Sequence, residues 1–215
     1  MSLVSQDSAN PEPTASMTDE ELVTFVQKGK DDAFGFLFER YKDQICRYTR
    51  RLVGNDHIGD DLAQDAFIKA LKALRSSRQE INFGNWLYRI ASNTVKDHWR
   101  HESLVRWLPW LEDEHHIPEH MHITGPEERT EGEELVKLAL AKVPYKYRVC
   151  LVLQTVEKLS TQQIAEIMKI KPSSVGQYVK RGHERFRSAY QSLVEEPQAT
   201  EKGVSLNEKP DTPCL

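Results

Sequence analysis

The stretch Leu159–Val175, LSTQQIAEIMKIKPSSV, decides the fold. Ser160 with Gln163 forms a capping box: a hydroxyl to accept from the backbone three residues on, and an amide to reach back. The helix it opens carries Ile164, Ala165 and Ile167 and stops at Met168. Lys169, Ile170 and Lys171 leave room for a short turn only, and Pro172 suits the first turn of a second helix. Ala165, Ile170 and Val175 then have the spacing of a helix-turn-helix: a small residue at the crossing, an apolar one in the turn, and another anchoring the second helix.

That second helix places Val175, Val179, Phe186 and Tyr190 on one face. Ser174, Tyr178, Arg181 and Arg185 follow one another at i, i+4, i+7 and i+11 on the other, with Ser173, Gln177, Lys180 and Glu184 beside them and Lys171 just ahead. Hydroxyl, amide and guanidinium groups match base edges in a major groove, and cations match phosphates. The competing reading is an ordinary solvated face on a small bundle. The turn spacing and the local charge weigh against it.

That charge is visible only block by block. The 215 residues carry a net charge of −4, which taken whole argues against a nucleic-acid partner. Residues 1–32 carry 2 basic and 7 acidic side chains, residues 33–101 carry 12 and 8, and residues 102–134 carry 2 and 10. Residues 135–194 carry 11 and 3, and residues 195–215 carry 2 and 5. Two basic blocks are thus flanked and separated by acidic ones, and basic blocks are what counterion release places on phosphate.

The first basic block is periodic as well. Thr18 and Glu21 form another capping box, opening a helix that stops near Gly29. A second helix after Asp31 carries Phe34, Leu37, Phe38, Tyr41, Ile45, Tyr48 and Leu52 inward and ends at Gly54-Asn55. A third, about 57–74, turns Leu62, Phe67, Leu71 and Leu74 inward. Its outward Asp60, Asp61, Gln64 and Asp65 either complement the helix dipole or offer a docking face to a basic partner helix. A polar loop over Arg75–Gly84 leads to a fourth helix, about 85–101, with Leu87, Ile90, Ala91 and Thr94 inward. On it Trp86, Arg89, Asn93, Lys96 and Arg100 recur every three or four residues. An aromatic, an amide and cations on one face suit unstacked bases and a single-strand backbone, and the preceding loop is placed to close over a flipped base. A solvated face with a half-buried tryptophan is the plainer alternative.

The expected architecture is all-α: a disordered tail at 1–17, a helical bundle at 18–102, an acidic flexible linker at 103–133, a helix-turn-helix domain at 134–194 and a disordered tail at 195–215. Pro109, Pro118, Gly125 and Pro126 interrupt the linker. Its His115, His116, His120 and His122 among acids read as a solvated segment rather than a metal or pH sensor. Trp107, Leu108, Trp110 and Leu111 form an apolar cluster there, covered either by the first domain or by a regulator. Cys46, Cys150 and Cys214 show no CxxC spacing, and Cys150, within an apolar run, reads as core. No apolar run reaches membrane-spanning length and the N-terminus lacks a signal-peptide pattern, so the cytoplasm is the expected address.

Three strings, DDLAQDAFIKALKAL (Asp60–Leu74), FGNWLYRIASNTVKDHWR (Phe83–Arg100) and LSTQQIAEIMKIKPSSV, resemble the extracytoplasmic-function sigma factors, small two-domain members of the bacterial sigma-70 family. They occur in that family's order and at its separations. The resemblance covers about residues 18–102 and 134–190. It implies that Asp60, Asp61, Gln64 and Asp65 bind the clamp helices of core RNA polymerase. It implies that the loop Arg75–Phe83, including Ser77 and Arg78, with Trp86, Arg89, Asn93, Lys96 and Arg100, melts the −10 promoter element and holds its non-template strand. Lys171, Ser173, Ser174, Gln177, Tyr178, Lys180, Arg181 and Arg185 would read the −35 element as duplex, and the linker would thread the polymerase cleft. An anti-sigma regulator is the expected further partner, and neither a cofactor, nor a metal, nor catalysis is implied. The chain departs from the family pattern with Ser76 and Ser77 where the melting loop often has an aromatic, with Gly176 where a basic residue is usual, and with Gly182 where alanine is usual. Two rival readings are a stand-alone helix-turn-helix regulator, which has no need of the fourth-helix stripe, and a metal-dependent hydrolase, for which no nucleophile elbow, phosphate loop or HExxH is found.

Overall fold

A computed structural model describes residues 12–105 and 130–201. Within them the chain is all-helical: α1 (Asp19–Gln27), α2 (Asp32–Val53), α3 (Asp56–Ser76), α4 (Phe83–Val105), α5 (Glu131–Ala141), α6 (Tyr145–Thr155), α7 (Thr161–Met168) and α8 (Pro172–Glu201). Both capping boxes are formed. The Thr18 hydroxyl accepts from Glu21 N and the Glu21 carboxylate from Thr18 N; Ser160 and Gln163 repeat the arrangement. Gly54 ends α2 with a left-handed backbone, φ 75°, which only glycine adopts without strain.

Helices α1 to α4 enclose one core. Leu22, Val26, Leu37, Ile45, Tyr48, Leu52, Ala66, Leu74, Leu87 and Ala91 are fully buried in it. Phe34, Phe67 and Phe83 pack edge to face, with ring centroids 6.3–6.4 Å apart, and Tyr41 meets Phe83 at 5.4 Å. Phe83 belongs to the stretch expected as loop. It lies instead in the first turn of α4, because the Asn82 carboxamide accepts from Asn85 N at 3.1 Å and starts the helix two residues early. Phe38, expected inward, is 38% exposed.

One close approach fixes how α2 and α3 cross. A Cβ on Gly59 would stand 2.6 Å from Arg50 Cα, so only glycine fits there. In the C-terminal domain Gly182 does a similar service: a Cβ would lie 3.0 Å from the Tyr147 carbonyl and 3.2 Å from Leu151 Cβ, which lets α8 lie close against α6. The alanine usual at this position has less room here.

Three element ends differ from expectation. Helix α4 runs to Val105, α5 begins at Glu131, and α8 continues to Glu201, so the helices extend past both linker boundaries and into the expected C-terminal tail. The linker histidines and the cluster Trp107–Leu111 lie outside the described residues.

The two domains pack on each other through α2, α4, α5, α6 and α7. Arg148 on α6 is wholly buried and donates to the carbonyls of Val143 at the end of the α5–α6 turn, Ala141 in α5 and Leu52 in α2. Tyr145 donates to the Ser92 carbonyl in α4 at 2.6 Å, and Tyr88 in α4 donates to Glu157, which follows α6, at 2.7 Å. Asn85 exchanges hydrogen bonds with Glu166 and Gln163 of α7 at 3.1 and 3.4 Å. No helix among the described residues is long and apolar enough to cross a membrane.

Candidate functional site

Helix α3 carries the expected docking face. Its buried positions, Leu62, Ala63, Ala66, Phe67 and Ala70, recur at helical spacing, so the residues between them must face outward. Asp61, Gln64 and Asp65 are exposed. Asp60 is half-buried, and Arg50 of α2 donates to its two oxygens from Nε and Nη2 at 2.7 and 2.6 Å. That bidentate pair holds Asp60 against α2. One turn further on, Ile68 is 44% exposed, and it stands with Phe38 among the large apolar side chains left in solvent. The face is therefore acidic with an exposed apolar residue one turn beyond the acids, a feature that the acidic residues alone did not announce.

Helix α4 presents two faces at once. Leu87, Ala91 and Val95 are buried in the first domain, while the Asn85 and Tyr88 side chains and the Ser92 carbonyl meet the second. On the remaining side Asn93, Lys96 and Arg100 are exposed and Trp86 and Arg89 half-buried. Trp86 leans on Phe83, ring centroids 6.2 Å apart, which holds the indole at the edge of the core. Arg100 lies 3.5 Å from Asp97 on the same helix, an exposed pair that leaves it mobile.

The loop that precedes α4 is pinned to α1. Arg78 donates to the Gln27 carbonyl at 3.2 Å, and the Gln27 carboxamide donates to the Gln79 carbonyl at 2.9 Å. Arg75 makes a bidentate pair with Asp31. Ser77 caps the end of α3 and its hydroxyl accepts from Gln79 N at 3.3 Å. Ser76 spends its hydroxyl on the carbonyls of α3.

The helix-turn-helix has the expected geometry. Lys169 takes a left-handed backbone, φ 53°, and Ile170 N donates to the Ala165 carbonyl at 3.0 Å, closing the turn. Val175 is fully buried and anchors α8. Lys171, Ser173, Gln177, Lys180 and Arg185 are exposed and Ser174 half-buried. Tyr178 and Arg181 are placed differently from the rest. Tyr178 packs edge to face on Tyr147 at 5.5 Å, with the Lys146 ammonium over both rings. Arg181 donates to the Tyr147 hydroxyl at 3.0 Å with its guanidinium over that ring. Both are oriented by α6, which sequence spacing along α8 could not show.

Cys150 is fully buried, and burial pushes its thiol up to about 12, so it stays protonated at neutral pH as a core side chain does. No cluster of three metal-ligating side chains occurs among the described residues.

Comparison with known proteins agrees with this arrangement. Residues 37–104 match the family model for sigma-70 region 2, and residues 133–185 match that for sigma-70 region 4. The chain is 32% identical over 176 residues to the ECF RNA polymerase sigma factor SigW of Bacillus subtilis (strain 168), covering 78% of this chain and 94% of that one. It is 31% identical over 188 residues to the ECF RNA polymerase sigma-E factor of Escherichia coli (strain K12), covering 83% and 97%. Its fold is similar to that of CnrH solved in complex with the cytosolic domain of CnrY, TM-score 0.59 at 21% identity over 83% of this chain and 97% of that one. It is also similar to the sigma factor RpoE of Bartonella quintana solved with the anti-sigma factor NepR, TM-score 0.58 at 18% identity, covering 75% and 98%. Region 2 is the bundle that bears the α3 and α4 faces, and region 4 is the helix-turn-helix domain; with both regions present in order and matched over nearly the whole length of its relatives, the chain belongs to the sigma-70 family, as an ECF RNA polymerase sigma factor.

Proposed function

We propose a division of labour among the three faces. Asp61, Gln64 and Asp65, with Ile68 one turn beyond them, dock on core RNA polymerase, and Asp60 supports them through Arg50. Asn93, Lys96 and Arg100, with Trp86 and Arg89 at the edge of the core and Ser77 and Arg78 in the loop, hold the melted −10 strand. Lys171, Ser173, Ser174, Gln177, Lys180 and Arg185 contact the −35 duplex, and Tyr147 positions Tyr178 and Arg181 beside them. The protein makes and breaks no covalent bond itself; its place is the cytoplasm, where the polymerase works. An anti-sigma factor that covers these faces is the fitting regulator; the similar Bartonella quintana sigma factor is solved in complex with one.

The observation that carries this reading is the separation of charge in one chain: an acidic face with an apolar residue at its end on α3, and cationic faces on α4 and α8. Each is built for a different polymer. Elements named −35 and −10 lie about 25 base pairs apart, or about 85 Å along B-form DNA. A compact body of this size is only about 40 Å across. Simultaneous contact with both elements therefore requires the two domains to part.

In vitro transcription with purified protein and bacterial core polymerase on a pool of promoter fragments tests the reading. Specific transcripts that depend on the protein are expected, and their aligned start sites reveal both elements. Asp61→Lys is expected to abolish core binding with the fold intact, and normal binding by that variant would remove α3 from the docking role. Duplex binding with no specific transcript from a folded, regulator-free sample would favour a stand-alone DNA-binding regulator.

A further inference from the structure

Lys146 belongs to the first turn of α6, outside the helix-turn-helix, yet its ammonium is carried onto the recognition helix α8. It lies 5.2 Å from the centre of the Tyr147 ring and 5.8 Å from that of Tyr178 on α8. The Arg181 guanidinium lies 5.8 Å from the same Tyr147 ring, and the two tyrosines meet edge to face. Ring faces attract cations, so one buried tyrosine gathers a lysine of α6 and an arginine of α8 around itself. Two like charges held in so small an area make a focused positive potential, which an anion is drawn to.

The place of this pair on α8 says which anion. Val175 and Val179 point inward. At about 3.6 residues per turn, Ser174, Tyr178, Arg181 and Arg185 then share one flank of the helix. An α-helix with its side chains is about 10–12 Å across and a B-form major groove about 12 Å wide. A seated recognition helix therefore fills the groove, its outermost residues meet the floor, and its flanks meet the walls, which are phosphate. Lys146 lies over the flank at Tyr178, on the wall side. A lysine ammonium is a compact charge on a flexible stem, suited to a phosphate oxygen.

We propose that Lys146 is a further −35 contact, gripping a backbone phosphate of the duplex beside Arg181, an inference that rests on the −35 role proposed for α8. The contact comes from a third helix of the domain and is blind to base sequence. Lys146 contributes affinity and register, while the choice of bases stays with α8.

The test uses holoenzyme assembled from the full chain and bacterial core polymerase. Binding is measured across a salt series on a promoter found by the transcription assay above, and on the same promoter with its −35 element scrambled. Lys146→Ala is expected to bind the intact promoter more weakly, with a deficit that shrinks about threefold as salt rises from about 50 to about 200 mM, the mark of one lost phosphate contact. Its ranking of −35 base substitutions is expected to match that of the wild type, and Lys146→Arg is expected to restore both affinity and salt dependence. On the scrambled promoter the wild type and Lys146→Ala are expected to bind alike. A merely structural role would lower the active fraction and leave the salt dependence as it was. An unchanged salt dependence, an equal deficit on the scrambled promoter, or an altered ranking of bases would each overturn the proposal. If the wild type itself does not distinguish the two promoters, the −35 role of α8 fails; if it does and Lys146→Ala keeps the full salt dependence, only the Lys146 contact fails.

Discussion

The Arg148 guanidinium, fully buried on α6, donates to the Leu52 carbonyl in the last turn of α2 at 2.5 Å, so a charged group of the C-terminal domain satisfies a main-chain oxygen of the N-terminal one. The same side chain donates to Val143 and Ala141, and no carboxylate is among the partners it donates to. Burial draws its pKa down to about 10, so it remains a cation at neutral pH, held by carbonyl dipoles alone. Arg148→Met keeps the volume and removes every donor. It is expected to destabilise the chain by about 2–5 kcal/mol, since buried carbonyls lose their partners. Urea denaturation followed by circular dichroism measures this, and a loss under 1 kcal/mol would show that water replaces the guanidinium.

Tyr88 and Glu157 join α4 to the end of α6 at 2.7 Å, and Arg51 lies 3.7 Å from the same carboxylate. The tyrosine is 4% exposed, so its hydroxyl has little water to turn to. Tyr88→Phe is expected to weaken the contact between domains by about 1 kcal/mol, roughly a fivefold shift toward parted domains. Fluorescence energy transfer between labels on α3 and α8 reads the shift, and binding of a −35 duplex should tighten in parallel if closure hinders it. A Tyr88→Phe, Glu157→Gln double variant should lose less than the sum of the single changes, as partners in one hydrogen bond do.

The glycines divide sharply. At Gly59 an added methyl would overlap Arg50 Cα, backbone that cannot swing aside. Gly59→Ala is expected to cost about 2–4 kcal/mol and to disturb the α2–α3 crossing that presents Asp61 and Asp65. At Gly176 nothing lies within 4 Å, and the position is inside α8. Gly176→Ala is expected to stabilise by about 0.5–1 kcal/mol. Thermal melts of the two variants should move in opposite directions.

Alkaline pH bears on the buried tyrosines. Burial first of all raises the pKa of Tyr48, Tyr88 and Tyr145 above the ordinary 10.0. Below pH 10 they are protonated in folded and unfolded chains alike, and their contribution is whole. Above it the unfolded chain sheds protons that the folded chain keeps, so stability falls as pH rises. Arg148, lowered from 12.5 to about 10, acts in the opposite direction over that interval, against these three tyrosines and against Tyr41 and Cys150, which burial also raises. Net destabilisation is expected above pH 10, with tyrosinate absorbance appearing cooperatively with the loss of helix. Gradual titration of every tyrosine in a still-folded chain would contradict the burial argument.

Much of this protein is legible in the sequence because its signals are local. A capping box spans Thr18–Glu21 or Ser160–Gln163, a left-handed stop needs only Gly54, and helical spacing of Val175 and Val179 says which side of α8 turns inward. The recurrence of Asp61, Gln64 and Asp65 likewise follows from period alone, and the helix-turn-helix from residues 160–175. Tertiary structure decided what depends on distant neighbours. Asp60 is held by Arg50, Arg181 is turned toward Tyr147, and Phe83 is drawn from loop to core by Phe34 and Tyr41. Arg148 and Tyr88 look like surface residues in a helical pattern, yet both are buried, with one partner each, Leu52 and Glu157, in the other domain. Periodicity records which face of a helix is covered by its own bundle; it carries no record of a second body that covers the opposite face, and that cover arises only when two separately patterned domains meet.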